Sequence, residues 1–187
     1  MSKGKLFVIS GASGVGKGTV LKRVMEMRDG LFFSVSATTR PPRHNEVDGV
    51  HYDFITKDAF EELIRQDGFL EYSAHHENYY GTPKGQVMEK LSRGHVLLDI
   101  DPNGAEQVLA KCPDTTLIFI MPPDMEELEK RLRGRDDTSE EQITKRLERA
   151  IWEMDQRGWY HHVVVNDVVE DCANKILNII SAVADTN

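Results

Sequence analysis

The sequence predicts a single α/β domain with a mostly parallel sheet flanked by helices, and three observations carry that prediction. Short apolar runs rich in Val, Ile and Leu recur along the chain. Segments with helical spacing lie between them. A glycine-rich loop joins the first run to the first helix. Such alternation suits an α/β layer architecture, because each parallel strand must be returned by a crossover helix. With 187 residues and no repeat or low-complexity linker, residues 1–187 read as one domain able to bury its own core.

The apolar runs are Leu6–Ser10, Val96–Ile100, Thr116–Met121 and Val163–Val165; bounded by turn residues, they read as buried parallel strands. Helical spacing marks Lys17–Met27, Asn103–Lys111, Asp124–Leu132 and Val168–Val183. A further helix starts after Ser139. Gln142 completes a capping box there, and Ile143, Leu147, Ile151 and Met154 are expected on one face. Two stretches break the alternation. Residues 36–92 mix short strands (Asp53–Ile55, Phe69–Tyr72) with two short helices, and residues 133–148 are dense in charge. Both read as mobile lobes inserted into a core of 1–35, 93–132 and 149–187.

Composition narrows the function. A net charge of -8 argues against a nucleic-acid surface, which needs an excess of Lys and Arg on one face. Cys112 and Cys172 are too few for a disulfide scaffold and lack zinc spacing, so both are expected reduced and structural. A signal peptide needs an apolar run of roughly 7 to 15 residues and a membrane span about 20. The chain shows neither, so a cytoplasmic protein is expected.

The strongest signal is GASGVGKGT, comprising Gly11, Ala12, Ser13, Gly14, Val15, Gly16, Lys17, Gly18 and Thr19. It matches the GxxxxGK core of the Walker A loop in the required strand, turn and helix context. The glycines let successive N–H groups curl toward a phosphate at the positive end of the following helix, and Lys17 adds a point charge for the β- and γ-phosphates. An incidental glycine-rich turn is the weaker reading. Gly18 stands where a Ser or Thr hydroxyl commonly reaches magnesium. Metal ligation from that position is therefore excluded, and Thr19 or nucleotide oxygens and waters are left to hold the ion.

Downstream, Arg40 and Arg43 flank two prolines that stiffen the backbone, and a rigid arginine fork suits a phosphate monoester. Alone, the pair is as easily a solvated basic loop. Its company is more specific: SATTRPPR (36–43), YDF (52–54), FLE (69–71), NYYGT (78–82) and DID (99–101) follow the loop in that order. This pattern resembles the guanylate kinase family, nucleoside monophosphate kinases of the P-loop fold, from the first strand to VVVND near residue 166. The resemblance implies a P-loop kinase with a mostly parallel central sheet, an inserted mixed GMP-binding lobe (36–92) and a small helical lid (133–148). The implied activity is transfer of the γ-phosphoryl group of ATP to GMP, giving ADP and GDP.

By that resemblance Ser36, Glu71 and Thr82 read guanine, and Arg40, Arg43, Tyr52 and Tyr80 hold its phosphate. The base chemistry can be checked independently. Guanine offers adjacent N1–H and N2–H₂ donors to one carboxylate, whereas adenine presents an acceptor at N1. Glu71 therefore favours guanine. A water-facing carboxylate on an edge strand is the competing reading for Glu71, and half-buried packing the one for Tyr52 and Tyr80.

Asp99 and Asp101 end the second apolar run at a spacing of two, which places them on one side of a strand's carboxyl end, where ligands bind in open α/β sheets. Asp99 is nearest the Walker B role and could organise Mg²⁺ and its waters. Asp101 could instead meet the acceptor nucleotide, or cap the helix that follows. No metal ligand is assigned directly. In KRLRGRDDTSEEQITKRLER (130–149), the lid resemblance puts Arg135 and Arg146 at phosphate-clamping positions and Arg131 beside adenine. Arg149 is expected on a solvated face. Asn166 sits where family members contact adenine, an Asx turn being the plainer reading.

The His75–His76 and His161–His162 pairs are not read as metal sites, because sequence neighbours do not share a face. Trp152, Trp159, Met25, Met27 and Met154 are expected to pack. The implied partners are ATP and GMP, with dGMP an open case, and neither nucleic acid nor membrane; oligomeric state has no signature. Two other functions stay open: a P-loop kinase of another phosphorylated acceptor, such as a ribose bisphosphate, and a noncatalytic guanylate kinase-like binding module. Retained guanine readers argue against the first, and a retained Lys17 with lid arginines against the second.

Overall fold

The computed structural model describes residues 4–75, 77–134 and 139–184. In chain order the elements are β1 (Leu6–Gly11), α1 (Lys17–Met27), β2 (Leu31–Phe33), β3 (Ala37–Thr38), β4 (Asp53–Phe54), α2 (Lys57–Arg65), β5 (Phe69–His75), β6 (Asn78–Pro83), α3 (Lys84–Leu91), β7 (His95–Asp99), α4 (Pro102–Lys111), β8 (Thr116–Met121), α5 (Met125–Arg133), α6 (Glu140–Asp155), β9 (His162–Val165) and α7 (Val169–Ala184). They group into two compact units: Met1–Leu6, Gly30–Asp99 and Asn103–Thr115 in one, Phe7–Asp29, Ile100–Pro102 and Thr116–Asn187 in the other. No described helix is long and apolar enough to cross a membrane.

The second unit carries the glycine-rich loop. β1 pairs in parallel with β8 from Phe7↔Thr116 to Gly11↔Ile120, and β8 pairs in parallel with β9. Every residue of β1 is buried, as a strand covered on both faces must be. Val20, Leu21 and Val24 of α1 are buried, as are Cys172, Ala173, Ile176 and Ile180 of α7, and the two helices pack together. Burial of each Val, Leu or Ile side chain among them contributes about 1.5–3 kcal/mol. It also pushes the Cys172 thiol up to about 11, and both cysteines are free.

Expectations of burial fail at three places in this unit. β9 is parallel but half exposed, Val163 at 48% and Val165 at 43%, because it ends the sheet order and only one face is covered. On α6, Ile143, Ala150 and Met154 are buried while Ile151 is 47% exposed. At 100° per residue, position 150 returns to within roughly 20° of 143, whereas 151 lies about 80° away. Trp152 and Trp159 are partly exposed, though Trp152 lies under Arg149 and Trp159 against Tyr160, and Met25 and Met27 are only half-buried. Ser139 does cap α6, its Oγ accepting the Gln142 N–H at 3.3 Å.

In the first unit β2 pairs in parallel with β7, in keeping with the mostly parallel sheet predicted. A separate mixed sheet has the order β4-β3-β6-β5, with β3–β4 parallel and the other pairings antiparallel. Its core is aromatic. Phe60 of α2 stacks on Phe69 at 4.3 Å and on Tyr79 at 5.1 Å, with Ala37 alongside. Thr56 Oγ1 accepts the Ala59 N–H at 3.2 Å and starts α2. β2, β3 and β6 escape sequence reading because strands of two or three residues are too short to display a period, and NYYGT carries no alternation of apolar and polar residues.

Candidate active site

The glycine-rich loop is built where β1 ends. Gly16 has φ 88°, a left-handed conformation closed to most side chains, and a Cβ there would stand 3.0 Å from Asn166 Nδ2. The turn Val15 N–H to Ala12 carbonyl, 3.0 Å, curls the loop, and Lys17 opens α1 with no side chain capping it. The result is a cavity of about 370 Å³ lined by Gly11, Ala12, Ser13, Gly14, Val15, Gly16, Lys17, Gly18, Thr19 and Glu153. Backbone N–H groups at a helix N-terminus beside a lysine form an anion cradle. A Cβ on Gly18 would meet nothing within 4 Å, so the missing hydroxyl at that position is not excluded by space.

Arg131 and Asn166 brace this loop from behind. Arg131 Nη1 donates to the carbonyls of Val15 at 3.2 Å and Asn166 at 3.0 Å, while its Nε donates to Glu127 Oε1 at 2.9 Å. Asn166, 2% exposed, donates from Nδ2 to the Val15 carbonyl at 2.8 Å. Its Oδ1 is buried with no hydrogen-bond partner among the described residues. Arg146 lies half-buried on α6. Arg135, the other expected phosphate clamp, lies outside the described residues, as does His76.

The residues expected to bind the acceptor, Ser36, Arg40, Arg43, Tyr52, Glu71, Tyr80 and Thr82, lie in the first unit. Glu71 of β5 and Thr82 of β6 face each other in register, and Thr82 Oγ1 donates to Glu71 Oε1 at 2.5 Å. Glu71 is 6% exposed, although β5 is an edge strand. The edge is covered by α4: Gln107 Oε1 accepts the Tyr72 N–H at 3.2 Å, and its Nε2 donates to the Tyr72 carbonyl at 3.1 Å. Gly104 of the same helix approaches so closely that a Cβ would sit 3.0 Å from Glu71 Oε2. Ser36 precedes β3, and its carbonyl accepts the Asp53 N–H at 2.9 Å.

The structure brings Arg40, Tyr52 and Tyr80 together. The Arg40 guanidinium lies 5.6 Å over the Tyr52 ring, which meets Tyr80 edge-on at 6.1 Å. Burial, then the charge of Asp99 at the end of β7, raises the Tyr52 pKa. Glu46 is the partner that sequence reading missed. Arg40 Nη1 and Nη2 donate to its two oxygens at 2.9 Å each, and the Arg43 N–H donates to Oε2 at 2.7 Å. Those bonds, the Arg40 one foremost, hold the Glu46 carboxyl at about 2. The Arg43 side chain is exposed.

The two aspartates fall in different units. Asp99 sits near Tyr52, whereas Asp101 accepts from Arg149 Nη2 at 2.8 Å, within the other unit. Arg149 is thus no solvated bystander; it also donates from Nε to Glu153 Oε1 at 3.0 Å and lies 4.5 Å over Trp152. The one signal for Glu153 in the sequence is its place four residues after Arg149.

Comparison with known proteins places these features in company. The family model described as guanylate kinase matches residues 3–183. A guanylate kinase of Thermus thermophilus is 51% identical over 181 residues, 96% of this chain and 82% of the relative. One from Fusobacterium nucleatum is 49% identical over 181 residues, 96% of this chain and 97% of the relative. The crystal structure of guanylate kinase from Anaplasma phagocytophilum superimposes with a TM-score of 0.78 at 32% identity, covering 97% of this chain and 86% of that one.

Proposed function

The chain belongs to the guanylate kinase family and is an ATP:GMP phosphotransferase, and we propose that its two half-sites divide the reaction between them. ATP is bound by the loop of residues 11–19, with Lys17 on its β- and γ-phosphates and the adenine near Arg131 and Asn166. The buried Oδ1 of Asn166 supports that placement as an acceptor for the adenine amino group. GMP is bound by the lobe of residues 36–92: Arg40, Arg43, Tyr52 and Tyr80 on its phosphate, and Ser36, Glu71 and Thr82 on its base. Asp101, which accepts from Arg149, is assigned a contact with GMP as well.

The observation that carries the acceptor reading is the buried Glu71 carboxylate with Thr82 on one oxygen. A carboxylate has about four lone-pair sites, so it can accept N1–H and N2–H₂ of guanine beside the Thr82 hydroxyl. An adenine there would leave a buried charge facing an acceptor, which supports discrimination of ~10⁴.

The reaction is displacement of ADP from the γ-phosphorus by an oxygen of the GMP phosphate, giving GDP. A phosphate oxygen needs no protein base, so positioning and charge stabilisation do the work. Lys17, Arg135 and Arg146 neutralise the oxygens of the transferring group. Mg²⁺ would supply further neutralisation between the phosphates. The described residues hold no cluster of three or more His, Cys, Asp or Glu suited to a metal. Asp99 or Thr19 would hold the ion, directly or through its waters, and a Mg²⁺ ion that keeps several waters suits so few protein ligands. We place the activity in cytoplasmic purine nucleotide metabolism, with lid residues 133–148 closing the donor side. The test is ADP release from ATP and Mg²⁺ with GMP, dGMP, AMP, UMP or a ribose bisphosphate as acceptor. Turnover with GMP alone, or with dGMP, supports the assignment; a different preferred acceptor overturns it, and binding without turnover turns the reading toward a scaffold.

A further inference from the structure

The phosphate loop is held by a carboxylate. Glu153 on α6 is 7% exposed and forms part of the wall of the loop cavity. Its Oε2 accepts the Ser13 N–H at 2.7 Å, and its Oε1 accepts the Arg149 Nε–H at 3.0 Å. Arg149 continues to Asp101, donating from Nη2 to Oδ2 at 2.8 Å. Two side chains of α6, Glu153 and Arg149, thus tie together the loop, α6 and the segment that follows β7.

A buried anion on the wall of an anion-binding cavity opposes the ligand, so its presence calls for a compensating role. Burial is tolerable here because each oxygen takes a charge-assisted or short hydrogen bond. The bond to Ser13 withdraws that N–H from the cavity and fixes the loop at its second residue after β1. Arg149, held at one end by Glu153, is in turn aimed at Asp101.

We infer that Glu153 is a positioning residue for the donor nucleotide: it holds the loop in its phosphate-binding curvature before ATP arrives, acting through the Ser13 N–H. This rests on the reading of the loop as the ATP site. It touches no reacting atom; its effect is preorganisation, which lowers the ordering cost of binding. Glutamine in its place can serve only one partner. The amide oxygen accepts from Ser13 or from Arg149, and the NH₂ then faces a donor at the other.

The experiment is steady-state kinetics and ADP calorimetry on Glu153→Gln, with melting temperatures alongside. The expected result is a rise of about tenfold in KM for ATP and in Kd for ADP, equivalent to about 1.4 kcal/mol, with KM for GMP within twofold. A merely structural role would lower the melting temperature and the active fraction while leaving both KM values in place, and that result overturns the inference. Repeating the substitution in an Arg149→Met background separates the routes. A further rise in KM for ATP supports action through Ser13; no further rise assigns the effect to the arginine and overturns it. Wild-type protein that fails to bind ADP would remove the ATP-site reading and this inference together. ADP binding that is normal in both proteins removes the inference alone.

Discussion

Arg40 and Glu46 form a two-point ion pair, each guanidinium nitrogen 2.9 Å from a carboxylate oxygen, across a turn whose Arg43 N–H is bound by the same carboxylate. Arg40, proposed above to hold the GMP phosphate, is therefore kept in a fixed orientation. Replacing Glu46 by Ala should raise KM for GMP at least fivefold by releasing that orientation, with KM for ATP within twofold. Unchanged GMP kinetics would show that Arg40 needs no such support. The pair also has a pH signature. The Glu46 carboxyl is depressed from 4.5 to about 2, so its contribution is fully present above about pH 4.5. It is lost as pH falls toward 2. In acid titrations the Glu46→Gln protein should lack this component of the unfolding curve.

Lys17 lies at the first position of α1 in the wall of the loop cavity. Lys17→Met should lower kcat by ~10²–10³-fold, the loss typical of one preorganised donor to a developing charge. GMP affinity by calorimetry should stay within threefold, since the groups proposed to bind GMP come from another part of the chain. Equal loss of GMP binding would contradict the division of the site.

For Glu71→Gln the expected loss in kcat/KM for GMP is about 10²-fold, because an amide accepts one guanine donor and presents its own NH₂ to the other. The ratio of GMP to AMP use should fall with it. An unchanged ratio would remove Glu71 from base reading.

Gly104→Ala tests the close approach of α4 to Glu71. The added Cβ would stand 3.0 Å from Glu71 Oε2, so the carboxylate must shift by a few tenths of an ångström. KM for GMP should rise severalfold while KM for ATP holds. Gly85→Ala is the control: it lies in α3 with nothing within 4 Å of the new Cβ. Thermal unfolding should show it stabilised by about 0.4–1 kcal/mol. Loss of GMP affinity in both variants would point to general disturbance of the first unit.

The sequence by itself determined the strand, glycine loop and helix at residues 6–27, the parallel strands β7 and β8, and the helices α4, α5 and α7 to within a residue or so. It also supplied the residues proposed for the acceptor site. These follow from apolar runs, helical period and caps, all of which are interactions among near neighbours. Tertiary structure decided the rest. Whether β9 is covered, which way α6 turns Ile151, and that α4 buries the edge-strand carboxylate of Glu71 depend on what packs alongside. The partners of Glu46, Arg149 and Glu153 were settled the same way: Ser13 and Glu153 are separated by 140 residues, and Asp101 and Arg149 by 48. A charge is written in the chain, but the opposite charge that neutralises it is chosen by proximity after folding, because burial penalises any carboxylate left unpaired.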